Sequence, residues 1–180
     1  MSVEGTVFIP LSKSKIVLIA LGAAIFVALG VALLLIAREQ APAKALYIQL
    51  AGLASILFFG LVLIFAAGKV FDTQPGLIVS SEGIQDNSSG VAAGMIPWAE
   101  IRGLATASVH SQRFLTILVS EPEKYVERGG ILKRIANRAN LKYYGSPVQI
   151  SANSLKIKFD DLVALVEHRY RAHTQALPKA

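Results

Sequence analysis

The chain has no cysteine, a single tryptophan, two methionines and only 12 acidic residues in 180, and two long stretches carry no charge at all. Without a thiol there is no thiol catalysis, thiolate metal site or disulfide, and the absence fits any redox compartment. No G-x-x-x-x-G-K-[ST] phosphate loop, G-x-G-x-x-G turn, H-E-x-x-H or G-x-S-x-G occurs, so the sequence signals of the commonest nucleotide, metalloprotease and hydrolase sites are missing. Three histidines remain. His168 and His173 lie about 140° apart on a helix, off the common face that a metal pair at i and i+4 uses. His110 falls in a turn flanked by serines, and all three read as surface histidines. No catalytic, cofactor or metal residue is assigned, and a non-enzymatic role is expected.

What is present is apolar side chain, 53% of all residues against 17% charged. The excess is concentrated. Ile16 to Ala37 (IVLIALGAAIFVALGVALLLIA) is uncharged, and as a helix it spans about 33 Å, the thickness of a bilayer core. Its Leu, Ile, Val and Phe side chains together favour insertion by on the order of 4 to 8 kcal/mol. Leu46 to Ala67 (LYIQLAGLASILFFGLVLIFAA) repeats the pattern, interrupted only by Tyr47, Gln49 and Ser55. The short segment between them, REQAPAK, allows only a tight connection, which predicts a transmembrane hairpin. A secretory signal has an apolar region of roughly 7 to 15 residues, so the first run reads as an anchor despite Lys13 and Lys15 before it and Ala41-Pro42-Ala43 after it. No ionisable residue interrupts either run, which argues against an ion path or proton relay.

Lys13, Lys15 and Lys69 on the terminal side outnumber Arg38 and Lys44 in the loop. The positive-inside rule then predicts cytoplasmic termini at an inner (plasma) membrane. A cytoplasmic domain would leave the sequon Asn87-Ser88-Ser89 as ordinary loop. Ala20, Ala24, Ala28 and Ala32 form a small-residue stripe on the first helix, and Gly52, Ile56 and Gly60, beside Ala51 and Ser55, form one on the second. Close packing within the hairpin is the expected use, and a homo-oligomer seam is the alternative.

Past Lys69 short alternating pieces follow turn residues. Strands are expected at Leu77 to Val79, from Ile84, at Ile101 to Val109, at Phe114 to Val119, at Val148 to Ile150 and at Leu155 to Phe159, the last with Lys156 and Lys158 outward. Helices are expected from Pro122 to Glu127 and from Ile131 to Asn140. A final helix is expected to be capped by Asp160 or Asp161, with Leu162, Leu165, Val166 and Tyr170 inward and Glu167, Arg169 and Arg171 wet. The predicted fold class is an α+β membrane protein, a two-helix transmembrane hairpin followed by a small antiparallel sheet or partly open barrel closed by a C-terminal helix. The expected divisions are an N-terminal segment (1–15), two membrane helices (16–37 and 46–68) about a loop (38–45), a domain (75–173) and a flexible tail (174–180).

Pro97, Trp98 and Ile101 form an I-P-W-x-x-I signature where a turn enters a strand. With Trp98 between Ile96 and Ile101, a core anchor is expected, and Glu100 beside it reads as a solvated, unpaired charge. This signature resembles the bacterial pleckstrin-homology-like (PH-like) domains. Together with IPLSKSK (Ile9 to Lys15), PGL (Pro75 to Leu77), EGIQDNSSG (Glu82 to Gly90) and SLKIKFDDL (Ser154 to Leu162), it is similar to a family of uncharacterised bacterial membrane proteins. The resemblance implies two N-terminal transmembrane helices, a C-terminal PH-like domain and no catalytic residues.

Charge supplies the remaining functional signal. Arg128, Lys133, Arg134, Arg138 and Lys142 lie in one stretch without an acid, alongside Ile131, Leu132, Ile135 and Leu141. Two readings stand: a helix with its apolar side on the sheet and a solvated basic face, or a basic amphipathic helix on anionic headgroups. Membrane lipids or a protein segment are the expected partners. Nucleic acid is disfavoured, because no aromatics cluster for stacking. An enzyme acting on a lipid-linked substrate through Asp86, Asn87 and Ser88 is the alternative, as is a subunit of a larger membrane complex; residues of this kind are also common turn formers.

Overall fold

The computed structural model describes residues 5–109 and 111–176 and divides into two compact units. One is Lys13–Thr73; the other combines the residues through Ser12 with those from Gln74 onward.

The first unit is an antiparallel pair of helices, α1 (Lys13–Ala37) and α2 (Pro42–Phe71). Pro42 suits the first turn of α2, where a backbone donor is not needed. The small residues Ala23, Gly30 and Ala37 of α1, spaced every seven along one face with Ile16, are buried, as are Gly52 and Ala66 of α2. Such a seven-residue repeat is the seam of two helices crossing at a shallow angle. At its centre a Cβ on Gly30 would lie 2.9 Å from the Gly52 carbonyl oxygen, and a Cβ on Gly52 2.8 Å from that of Gly30, so only glycine lets the backbones approach this closely. Phe26 and Phe59 stack with centroids 4.3 Å apart, and Ser55 Oγ donates to the Phe26 carbonyl at 2.9 Å. Ala24, Ala28 and Ala32 are exposed, which corrects the expectation that their stripe packs on α2: the seam follows a seven-residue spacing and leaves the four-residue row outside. At the open end Lys13 Nζ donates to the backbone carbonyls of Lys69 (2.8 Å) and Asp72, and Lys69 pairs with Asp72 at 2.9 Å. Those carbonyls belong to the final turn of α2 and to its C-cap, where a cation suits the helix dipole.

The second unit has two antiparallel sheets where one sheet or barrel was expected. The first has the order β1 (Val7–Ile9), β2 (Leu77–Val79), β3 (Gly83–Asp86), β4 (Gly94–Pro97). The second has the order β5 (Ile101–Val109), β6 (Gln112–Val119), β7 (Val148–Ile150), and the sheets are not closed on each other. β1 was not foreseen. It pairs Val7 with Val79 and Ile9 with Leu77, so the strands that bracket the helical pair in sequence are neighbours in one sheet. Gly83 is required where β3 meets β4, since a Cβ there would lie 2.2 Å from the Ile96 carbonyl oxygen. The stretch expected as a strand at Leu155 to Phe159 is not one. Leu155 makes a single bridge to Leu11, Lys156 donates its backbone N–H to Pro10, and Phe159 already opens the last helix, α5 (Phe159–Ala176). The alternation there reflects an irregular segment packed on one side.

Leu77, Val79, Ile84 and Ile96 of the first sheet, Leu115, Ile117 and Ile150 of the second, and Leu162 and Val166 of α5 are fully buried and form the core. Asp160 and Asp161 lie in the first turn of α5, not at its cap, where their charge suits the helix N-terminus. Arg169, expected in solvent, is 8% exposed and donates to the Gly5 carbonyl at 2.6 Å. Thr174 to Ala176 continue α5, and the rest of the expected tail lies outside the described residues, as does His110.

β6 and β7 are antiparallel neighbours, which a few residues suffice to join. Here residues 120–147 intervene and carry α3 (Pro122–Val126) and α4 (Ile131–Tyr144).

Candidate functional site

Trp98 is 3% exposed, in a 3-10 turn (Trp98–Glu100) between β4 and β5. Its Nε1 donates to the Ser80 carbonyl at 2.9 Å, and its ring faces Tyr170 and His173 of α5, with centroids 6.5 and 6.4 Å away. Ile96 and Ile101 are buried on either side, and Pro97 is half-buried. Trp98 thus joins β4, the β2–β3 turn and α5. His173 is no free surface histidine: it lies against the tryptophan with Nε2 buried and unpaired, whereas His168 is exposed.

Glu100 is not a lone solvated charge. Its carboxylate accepts Lys124 Nζ at 2.6 Å and the Tyr125 hydroxyl at 2.7 Å, tying the start of β5 to α3. The bond from Lys124, then that from Tyr125, holds the Glu100 carboxyl below its ordinary range. Burial, followed by the bond to Glu100, pushes the Tyr125 phenol well up.

Asp86 and Ser88 are both 3% exposed. The Asp86 carboxylate accepts the Ser88 N–H (2.9 Å), the Ser88 hydroxyl (2.6 Å) and the Ala93 N–H (2.8 Å). Burial raises its pKa, opposed by these bonds and by Lys133. Asn87 lies beside this network and donates to the Pro75 carbonyl at 3.4 Å. All three residues thus organise the loop between β3 and β4. Their contacts turn inward, and the Ser88 hydroxyl and the Asp86 carboxylate are engaged with each other inside the loop, both side chains out of solvent. Among the described residues no group of three His, Asp or Glu is placed to hold a metal.

The five basic candidates separate into two sets. Arg128 donates to the carbonyls of Ala93 and Met95, both at 2.8 Å, with its guanidinium 4.0 Å over the Tyr125 ring, and Lys133 donates to the Ala92 carbonyl at 2.5 Å. These two clamp the α3–α4 segment onto the β3–β4 loop. Arg134, Arg138 and Lys142 are exposed and form one row at i, i+4, i+8.

Beside that row the apolar face of α4 points outward: Ile131 is 76% exposed, Leu132 69%, Ile135 63% and Tyr143 72%. This overturns the reading in which the apolar side of α4 covers the sheet. The one fully buried residue of α4 is Asn137, whose Nδ2 donates to the Tyr125 carbonyl at 3.3 Å. A signal was available in the spacing. Ile131 and Arg134, or Ile135 and Arg138, are three apart and share a face, whereas a helix packed on a sheet sets its cations opposite its apolar stripe.

The chain matches no protein-family model, no curated protein and no solved structure.

Proposed function

We propose that this chain is a non-enzymatic integral membrane protein whose α1–α2 hairpin crosses a bacterial inner membrane with both termini in the cytoplasm. There its sheet-and-helix unit, read as a PH-like domain, binds a protein segment or anionic lipid headgroups. One observation carries the reading. The two helices are long and apolar enough to cross a membrane, yet only 17% and 11% of their most apolar stretches is buried, unlike the mostly buried core helix of a water-soluble fold. The pairing of β1 with β2 supports both ends of the hairpin lying on one side, because it brings the chain entering and leaving it back to one sheet.

The enzyme alternative is the weaker one, since Asp86 and Ser88 are buried against each other. Membership of a larger complex or a homo-oligomer is a second reading, favoured by the outward position of Ala24, Ala28 and Ala32. Crosslinking in membranes would then give a species heavier than one chain. The main reading is tested by topology reporters fused after Ala180 and inserted in the REQAPAK loop. A cytoplasmic signal from the first and an opposite-side signal from the second are expected, and the same signal from both would exclude a spanning hairpin.

A further inference from the structure

We propose that α4 is an interfacial helix that lies on an anionic phospholipid surface, Ile131, Ile135 and Tyr143 reaching the acyl chains while Arg134, Arg138 and Lys142 meet lipid phosphates. The proposal rests on the reading that the hairpin holds the chain in a bilayer, and it names the ligand of the interaction unit.

The helix is an addition to the sheet, lying in an insertion between two strands that pair directly. Its inward residue is an asparagine, while its isoleucines and Tyr143 point out and border an open groove with the basic row. A soluble surface helix has the reverse arrangement. The sequence from Ile131 to Tyr144 contains no acid. The acid paired with the basic row is Glu123, 3.9 Å from Arg138 with both side chains about 70% exposed, a contact too wet and too long to neutralise it. Arg134 Nε donates to the Gly129 carbonyl at 3.1 Å, and Lys142 Nζ lies 5.7 Å from the Tyr143 ring, so both cations are held at the border of the apolar row.

Net positive charge beside a ridge of isoleucine and tyrosine complements an anionic headgroup layer over hydrocarbon. The short connections, residues 10–12 and 72–76, tether the unit to whatever bilayer the hairpin crosses. Arg128 and Lys133 take no part in docking. By gripping the β3–β4 loop they fix which side of α4 faces out.

The test uses the full chain in vesicles containing lipids brominated on their acyl chains, which quench tryptophan on contact. Three versions are compared: the parent with its buried Trp98 as the unquenched background, Ile135→Trp, and Leu57→Trp on an exposed position of α2. In phosphatidylglycerol-rich vesicles both introduced tryptophans should be quenched. At position 135 the quenching should fall in phosphatidylcholine and in high salt, and the combined change Arg134→Ala, Arg138→Ala, Lys142→Ala should weaken docking on the order of 100-fold, about fivefold for each cation. Quenching at 57 without quenching at 135 overturns the proposal and leaves the hairpin intact. Shielding of position 135 from aqueous acrylamide without bromolipid quenching means that a protein or a second copy covers α4, and also overturns it. Quenching at 135 that ignores lipid charge and the triple change overturns the anionic preference. Absence of quenching at 57 shows instead that the hairpin reading fails, and the proposal with it.

Discussion

The helical pair and the sheet-and-helix unit contain the same kinds of side chain and sort them in opposite directions. In the sheet unit Leu77, Ile84, Leu115 and Leu162 are fully buried. In the hairpin the buried positions are mostly glycine and alanine, while Leu18, Ile25, Leu57 and Phe58 face outward. A chain folding in water gains roughly 25 cal/mol for each Å² of apolar surface it hides, which makes the second arrangement costly there. In a bilayer the outward leucines are already solvated, and close backbone approach is what holds two helices together. The inversion is what two solvents along one chain would produce, and the apolar row beside a basic one on α4 is what the proposed docking on lipid requires.

This contrast is open to attack by mutations of opposite kind. The largest effect is expected in the sheet core, where Leu115→Ala removes a fully buried side chain and should lower domain stability by roughly 3 kcal/mol in denaturant unfolding. The hairpin should respond to enlargement instead. Gly52→Val places atoms against the Gly30 carbonyl and Leu34 and should weaken helix pairing by about 2 kcal/mol in a detergent titration, while Gly60→Val, with open space around its Cβ, should be near neutral. Nearly the same loss, about 2 kcal/mol in thermal unfolding, is expected for Arg128→Ala, which abandons two carbonyls and a ring contact. Arg134→Ala, on the outer row, should stay within about 0.5 kcal/mol.

Glu100→Gln should cost about 1 kcal/mol near neutral pH, since Lys124 is partly solvated and contributes little beyond the bond to Tyr125. The folded-state pKa of Glu100 is lowered from 4.5, so its contribution is complete above that value and disappears as pH falls through the lower folded one. Parent and mutant should therefore converge in acid. Asp86, pushed upward by burial, acts in the opposite sense, favouring the fold less as pH rises above 3.8, but it cancels from the comparison because both chains carry it. A small effect is expected from Ser55→Ala, which loses the bond to the Phe26 carbonyl and should weaken the hairpin by about 0.6 kcal/mol.

Features set by local composition were legible in the sequence. Two uncharged runs longer than 20 residues became two helices, and β2, β5, β6 and β7 fall within one or two residues of the alternating stretches at Leu77, Ile101, Phe114 and Val148. Long-range pairing was not legible. β1 is three residues of VFI whose strand character depends on Leu77 to Val79, far along the chain, and Lys156 finds its partner at Pro10. In SLKIKF, alternating burial looked like strand pairing, although alternation requires only one packed side. Charged residues were hardest, because a carboxylate or guanidinium looks solvated until its partner is known: Glu100 with Tyr125, Arg128 with Ala93, Arg169 with Gly5. The outward face of α4 was readable from the three-residue spacing of its apolar and basic rows, whereas its inward anchor, Asn137 to Tyr125, was not.

Membrane fractions carrying the full chain, washed in alkaline carbonate and pelleted, test the central claim most directly. If α1 and α2 turn their large side chains toward lipid, the chain stays in the pellet and only detergent releases it. Its recovery in the carbonate supernatant, intact and soluble, would contradict the account.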